Sequence, residues 1–304
     1  MQGTDLTSER HAPVRPGRTW RAVLAPWVML SLPLLVFVTI FGIPLVVLLA
    51  TSFERIDPAT FKVIEPFTLY NYQKLLTDSF YLGAFWTTLK LGTLSTLACV
   101  VLGYPVALFL TKAHPRERSI LMLLIISPLL VSLVIRSLGW IIILGRRGLI
   151  DSLASALHLT SGPINLMYTQ TAVVIGQAHV FFPFMVLSIY AALQNIDPAV
   201  LRAASNLGAA PLRVFWNVTL PLSMPGVVAG SLIVFALCVS SFVTPMLLGG
   251  PWVKVVGYLI WEQALQILDW SFAAAIATIL LVLTAIIMYG YKFASERGSP
   301  PNVY

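Results

Sequence analysis

The side chains that could do chemistry here are polar groups stranded in apolar surroundings. They are Arg136, the pair Gln177 and His179, and the hydroxyls Ser240, Ser241 and Thr244 just before Pro245. An ionisable or hydroxyl group inside hydrocarbon is costly, so it faces a cavity, pairs with another group, or satisfies a loosened backbone carbonyl. Either set of roles fits each residue: Arg136 lines a solute path or binds carbonyls, His179 and Gln177 line the path or pack, and Ser240, Ser241 and Thr244 line it or relieve Pro245. Lys90, about two turns into its own apolar run, can snorkel to the headgroups. What these groups suggest is passage of a solute, not bond making.

The usual catalytic patterns are missing from the sequence. His11, His114, His158 and His179 lack metal-ligand spacing, and neither an H-E-x-x-H motif nor a pair of intramembrane carboxylates occurs. Without a G-x-x-x-x-G-K-[ST] loop the chain has no cradle for ATP phosphates, so any ATP-driven work needs a partner and no cofactor is expected in this chain. Cys99 and Cys238 both lie in apolar runs and read as small core residues, neither a disulfide nor a metal pair.

The elements that must position these residues follow from composition. Of 304 residues, 58% are hydrophobic and 10% charged, with a mean hydropathy of +0.87. Soluble domains carry about a quarter charged residues, so this is a membrane composition. Spans of about 20 apolar residues are expected at 26–51, 84–111, 119–144, 169–194, 223–248 and 271–291, making an all-α membrane protein of six transmembrane helices. The first run is longer than the roughly 7–15 residues of a signal-peptide core, so it is expected to be retained. The organisation expected is a tail at 1–25, a transmembrane domain at 26–291 and a second tail at 292–304.

Orientation comes from Lys and Arg in the connectors. The two tails and the loops 112–118 and 195–222 hold eleven: Arg10, Arg15, Arg18, Arg21, Lys112, Arg116, Arg118, Arg202, Arg213, Lys292 and Arg297. The opposite connectors hold six, and Lys90 and Arg136 complete the 19. Both termini and the 195–222 loop are therefore expected in the cytoplasm. This distribution explains the net charge of +7 as a topology signal, so nucleic-acid binding is not expected.

The 195–222 loop is organised. Asp197-Pro198 is a helix-start pair. Val200, Ala203, Ala204 and Leu207 fall on one helical face, and Gly208 supplies a left-handed stop. Pro211 opens a second short helix, expected to end at Leu220-Pro221 before Pro225-Gly226 turns the chain into the fifth span. Two short helices of this kind suit docking in another protein's groove, or lying on headgroups with Trp216 as anchor.

The spacing Arg202-Ala203-Ala204, three residues, Gly208, nine residues, Val218-Thr219-Leu220-Pro221 resembles the "EAA" signature of permease subunits of binding-protein-dependent ABC importers. The segments "IRSLGWIIILGRRGLID" (135–151), "FFPFMVLSIYAALQNIDP" (181–198), "LPLSMPGVVAGSLIVF" (220–235) and "FVTPMLLGG" (242–250) are similar to its spermidine/putrescine branch. The resemblance implies a type I ABC importer permease in a bacterial inner membrane. It also implies a second, related permease subunit, two cytoplasmic ATPase subunits that bind Mg-ATP, and a periplasmic or lipid-anchored solute-binding protein. The first loop helix would dock on the ATPase. Arg202 stands where the family has glutamate, which reverses the charge offered to that partner. The branch also moves opines and aminophosphonates, and Arg136 suits such anions better than a polyamine cation. Outside the family, an ion-coupled secondary transporter usually shows an internal repeat and needs no such loop, and a scaffold without transport has no use for mid-span polar groups.

Overall fold

The computed structural model describes residues 30–57, 60, 62–157 and 166–298, the last five by backbone only. The 1–25 tail, the first four residues of the first expected span, His11, His158 and the end of the second tail lie outside the described residues. Two compact units meet at Leu48–Leu49. The described part of the first is most of an apolar helix, α1 (Leu30–Ser52), widened by a π-helical turn at Val38–Gly42.

Everything else belongs to the second unit. A two-stranded antiparallel ribbon, β1 (Arg55–Ile56) and β2 (Val63–Glu65), interrupts the expected all-α chain. The Arg55 and Glu65 side chains meet across it at 3.9 Å. Ribbon formation lets this connector pair its own backbone groups, and Asn71 Nδ2 donates to the Ser52 and Glu54 carbonyls beside it (3.3 and 2.8 Å).

The helices then run in order: α2 (Tyr70–Thr77), α3 (Ser79–Lys112), α4 (Pro115–Ile126), α5 (Leu133–Leu144), α6 (Leu149–Ala156), α7 (Gln170–Gln194), α8 (Pro198–Asn206), α9 (Pro211–Ser240), α10 (Val256–Trp261) and α11 (Trp270–Gly298). Five helices among the described residues are long and apolar enough to cross a membrane, and one bent pair can make a sixth span.

The bent pair departs from the straight third span expected at 119–144. Pro115–Leu130 and Leu133–Ala156 meet at 100°. Pro128 has no N–H for the Leu124 carbonyl, and Ser127 Oγ donates to it instead at 3.0 Å. A 3₁₀ turn at Ser127–Leu130 follows, and extended backbone at Val131 then swings the chain away.

The fifth span also differs. No break occurs at Leu220-Pro221 or Pro225-Gly226; α9 runs from the loop at Pro211 to Ser240 as one helix. A π-helical turn at Phe215–Thr219 ends two residues before Pro221, in the stretch whose carbonyls that proline cannot pair. The helix ends at Ser240, short of the expected 248, and a π-helical turn at Pro245–Gly249 forms after the break.

The core is the contact of α3, α7 and α9. Cys99, Tyr104, Ala107 and Leu110 from α3 meet Met185, Val186, Ile189 and Leu193 from α7 and Val227, Val234 and Cys238 from α9. Lipid tails are as apolar as leucine, so close backbone approach supplies the packing here. At Gly226 a Cβ would run into Ala192 Cβ and come within 2.7 Å of the Ser188 carbonyl oxygen. A second core gathers Leu75, Phe85, Val256, Leu259 and Ile276 around Phe272. Thr88 Oγ1 accepts from Val256 N at 2.9 Å, tying α10 to α3.

Candidate functional site

The loop helix α8 is built from local signals. Asp197 Oδ1 accepts from Ala199 N at 2.8 Å, with Pro198 at the first helical position. At the other end Gly208 adopts φ +81°, Gly208 N donates to the Ser205 carbonyl (3.0 Å) and Ala209 N to the Ala204 carbonyl (3.3 Å). This is the double hydrogen bond of a Schellman stop, whose left-handed residue favours glycine.

The sequence-derived face of α8 points outward. Val200 is 44% and Leu207 89% exposed, Ala203 is exposed and Ala204 half-buried. On the other face Leu201 and Ser205 line a cavity of about 860 Å³ shared with Leu108 of α3, Leu193 of α7 and Phe215 of α9. Arg202 is exposed and forms no ion pair among the described residues. Pro221, the last residue of the motif, is exposed inside α9.

Below the loop, Phe215 packs edge-on against Tyr104 (centroids 5.6 Å). The Tyr104 hydroxyl meets Ser223 Oγ at 2.8 Å in the buried α3–α9 contact. Nothing in the sequence spacing announces this pair, since the two residues are 119 positions apart. A tyrosine within a long apolar run, needing a hydroxyl partner, is the only available clue.

The polar groups of the spans fall into separate places. Gln177 is 1% exposed and joins three helices: Ser95 Oγ of α3 donates to its Oε1 (3.0 Å), and its Nε2 donates to the Cys238 carbonyl of α9 (3.1 Å). Ser240, exposed, returns its hydroxyl to the Ala236 and Leu237 carbonyls of its own helix. Ser241 Oγ and Thr244 Oγ1, at the break after α9, are buried without a hydrogen-bond partner among the described residues.

The α5–α7 contact assembles a third group. Trp140 Nε1 donates to His179 Nδ1 at 3.2 Å, with the rings edge to face at 5.6 Å. Arg136, one turn before Trp140, lies within electrostatic reach of His179. Its Nε and Nη1 are enclosed and have no acceptor among the described residues, while the residue as a whole is half-buried. With Nδ1 accepting from Trp140, His179 carries its proton on Nε2, so the cluster's one ring acceptor is already used.

Comparison with known proteins decides the family. The chain is 34% identical over 254 residues to a spermidine/putrescine transport system permease protein of Haemophilus influenzae, spanning 84% of this chain and 88% of that protein. The Escherichia coli protein of the same name is 36% identical over 254 residues, or 92% of its length. This chain belongs to the ABC importer permease family. Its fold is also that of permease structures from a bacterial alginate ABC importer, with TM-scores of 0.73 and 0.75, sequence identities of 18% and 19%, and coverage of 93% and 94% of this chain and 100% of those chains. No protein-family model matches it. As a permease of this family the chain is a multi-pass membrane protein and a non-enzymatic subunit, with ATP hydrolysis belonging to a separate subunit.

Proposed function

We propose that this permease forms the translocation path for a polyamine such as spermidine or putrescine in an ATP-driven importer of the bacterial inner membrane. The observation that carries the reading is the 34–36% identity to spermidine/putrescine permeases over most of the chain. The bent pair Pro115–Leu130 and Leu133–Ala156 serves as one span, giving six in all, with both termini cytoplasmic. A second, related permease subunit completes the path, two ATPase subunits bind Mg-ATP, and a periplasmic or lipid-anchored protein delivers the solute. Arg136, Gln177, His179, Ser240, Ser241 and Thr244 are the residues of this chain assigned to the path or to its wall.

Coupling runs through α8. Its exposed Val200, Ala203 and Leu207 dock in a groove on the ATPase, and the Asp197 and Gly208 caps hold the helix stiff. Because α9 continues unbroken from Pro211 into the membrane, a displacement of the loop moves the whole span. Tyr104 and Ser223 carry that movement on to α3. The test is uptake of labelled spermidine into proteoliposomes holding the complete complex. Uptake that requires ATP and the binding protein is expected. Uptake driven by an ion gradient without ATP would overturn the importer reading, and uptake of anionic solutes alone would overturn the polyamine assignment.

A further inference from the structure

We propose that the cavity beside Leu201 and Ser205 of α8 holds an anionic phospholipid, its phosphate on Lys112 and the upper part of an acyl chain against the apolar wall. The orientation proposed above places it in the cytoplasmic leaflet. The cavity measures about 860 Å³, within the roughly 300–1,000 Å³ of small-molecule pockets. Leu108, Leu193, Leu201 and Phe215 supply the apolar wall, and Lys112 is the one charged residue of the lining. Position sets the depth. Lys112 ends the apolar helix Ser79–Lys112 and Gln194 ends Gln170–Gln194, so the cavity straddles the level where hydrocarbon gives way to headgroups. Leu212, in the lining, is 69% exposed, and Trp216, one turn further along α9, is 58% exposed. Exposed tryptophan is enriched at that level.

The lysine is accessible. Lys112 is exposed and takes no part in either ion pair among the described residues. Charged groups around it have other work. Arg118 donates to the Leu110 and Ala113 carbonyls (3.2 and 3.3 Å), Glu117 accepts from His114 N at 3.2 Å, and Asp197 caps α8. No carboxylate lines the cavity among the described residues. A lysine at the end of a span lays its stem along apolar surface and keeps its ammonium at the headgroups. Basic pockets between membrane helices on the cytoplasmic side suit anionic headgroups for this reason.

Other occupants fit less of the site. A free anion would meet Lys112 but leave the apolar wall in water. The ATPase is assigned above to the opposite face of α8, with Val200, Ala203 and Leu207. A membrane helix of the second permease packs along a strip of the spans, whereas the cavity reaches only the last five residues of α3 and the last two of α7. A phospholipid meets the ammonium, the wall and the depth together.

The experiment reconstitutes the complete complex in phosphatidylcholine vesicles containing a trace of photoreactive lipid. The probe is phosphatidylglycerol or phosphatidylcholine with the reactive group near the ester end of one acyl chain, and peptide mass spectrometry maps the label. Labelling of residues 193–219 by the phosphatidylglycerol probe is expected to exceed that by the phosphatidylcholine probe about fivefold, the effect of one lysine near an anionic headgroup. Lys112→Gln, at an exposed position, should bring the two probes level, and Lys112→Arg should keep the difference. Arg213→Gln removes an equal charge outside the lining and should also keep it. Equal labelling of the wild type by both probes, or a difference that survives Lys112→Gln, would overturn the inference. An equal loss with Arg213→Gln would reduce it to general surface attraction and overturn it too. Labelling in the permease alone that disappears in the complete complex would give the cavity to another subunit, with the same consequence. ATP-dependent uptake in the same vesicles judges the importer reading separately, so either can fail while the other stands.

Discussion

Replacing Gln177 by leucine tests whether the α3–α7–α9 core is held by polar groups or by shape alone. Gln177 is buried and makes two interhelical hydrogen bonds, accepting from Ser95 Oγ at 3.0 Å and donating to the Cys238 carbonyl at 3.1 Å. That carbonyl lies in the last turn of the main stretch of α9, where only the 3.3 Å bond from Ser241 N otherwise reaches it. Side-chain hydrogen bonds between membrane helices average about 0.6 kcal/mol and reach about 1.7. Two of them therefore make the loss about 1–3 kcal/mol. Leucine is close in volume to glutamine, so a cavity adds little. The assay is equilibrium unfolding of the purified permease in mixed micelles, with Ser95→Ala, Gln177→Leu and the double variant forming a cycle. A coupling of about 0.6–1.7 kcal/mol between the two sites is expected. Full stability of Gln177→Leu, or strict additivity of the two replacements, would refute the reasoning. Unchanged stability with altered uptake would instead make Gln177 a path residue.

Four further outcomes follow from the geometry. Gly226→Ala, whose Cβ meets Ala192 and the Ser188 backbone, is expected to destabilise the permease far more than Gly230→Ala, where the nearest atom is the flexible Met185 Sδ at 2.8 Å; micelle unfolding ranks the two. Tyr104→Phe removes the hydroxyl linking α3 to α9 and should cost about 0.5–1.5 kcal/mol. In proteoliposomes it should also lower uptake per ATP hydrolysed, with ATPase assembly retained. Gly208→Ala places a Cβ at φ +81°, a strain of about 1–2 kcal/mol, and should weaken ATPase capture by the complex without changing insertion of the chain. Arg202→Glu alters an exposed side chain with no ion pair among the described residues; a change in ATPase affinity of less than about fivefold is expected, and a larger one would reveal a charge partner on the ATPase.

What could be read in advance depended on how local the cause was. Asp197, Pro198 and Gly208 fix α8 through contacts within a few residues, so its start and stop were legible; of the predicted face, Val200, Ala203 and Leu207 are exposed and Ala204 is half-buried. The prolines misled because their effect depends on whatever replaces the lost hydrogen bond. Pro221 and Pro225 looked like a stop and a turn, yet α9 passes through both after a π-helical turn. Pro128 looked like an ordinary kink, yet with Ser127 taking the Leu124 carbonyl and Val131 extended it marks a 100° turn. The ribbon at residues 55–65 escaped notice because its strands are two and three residues long.

The candidate site divides along the same line. That Arg136 and Trp140 share a helical face follows from their spacing. That Trp140 then takes the acceptor nitrogen of His179 does not, because it needs α5 to turn at the bend and lie along α7. Sequence reasoning weighed the two separately, Arg136 against binding backbone carbonyls and His179 against a hydrogen-bonded packing role. Only the structure shows that Trp140 uses the Nδ1 acceptor of His179. A chain can balance its own polar groups one helix at a time, as Ser240 and Ser137 do with their own carbonyls. At part-exposed Arg136 that balance is left open, with Nε and Nη1 enclosed and without an acceptor among the described residues.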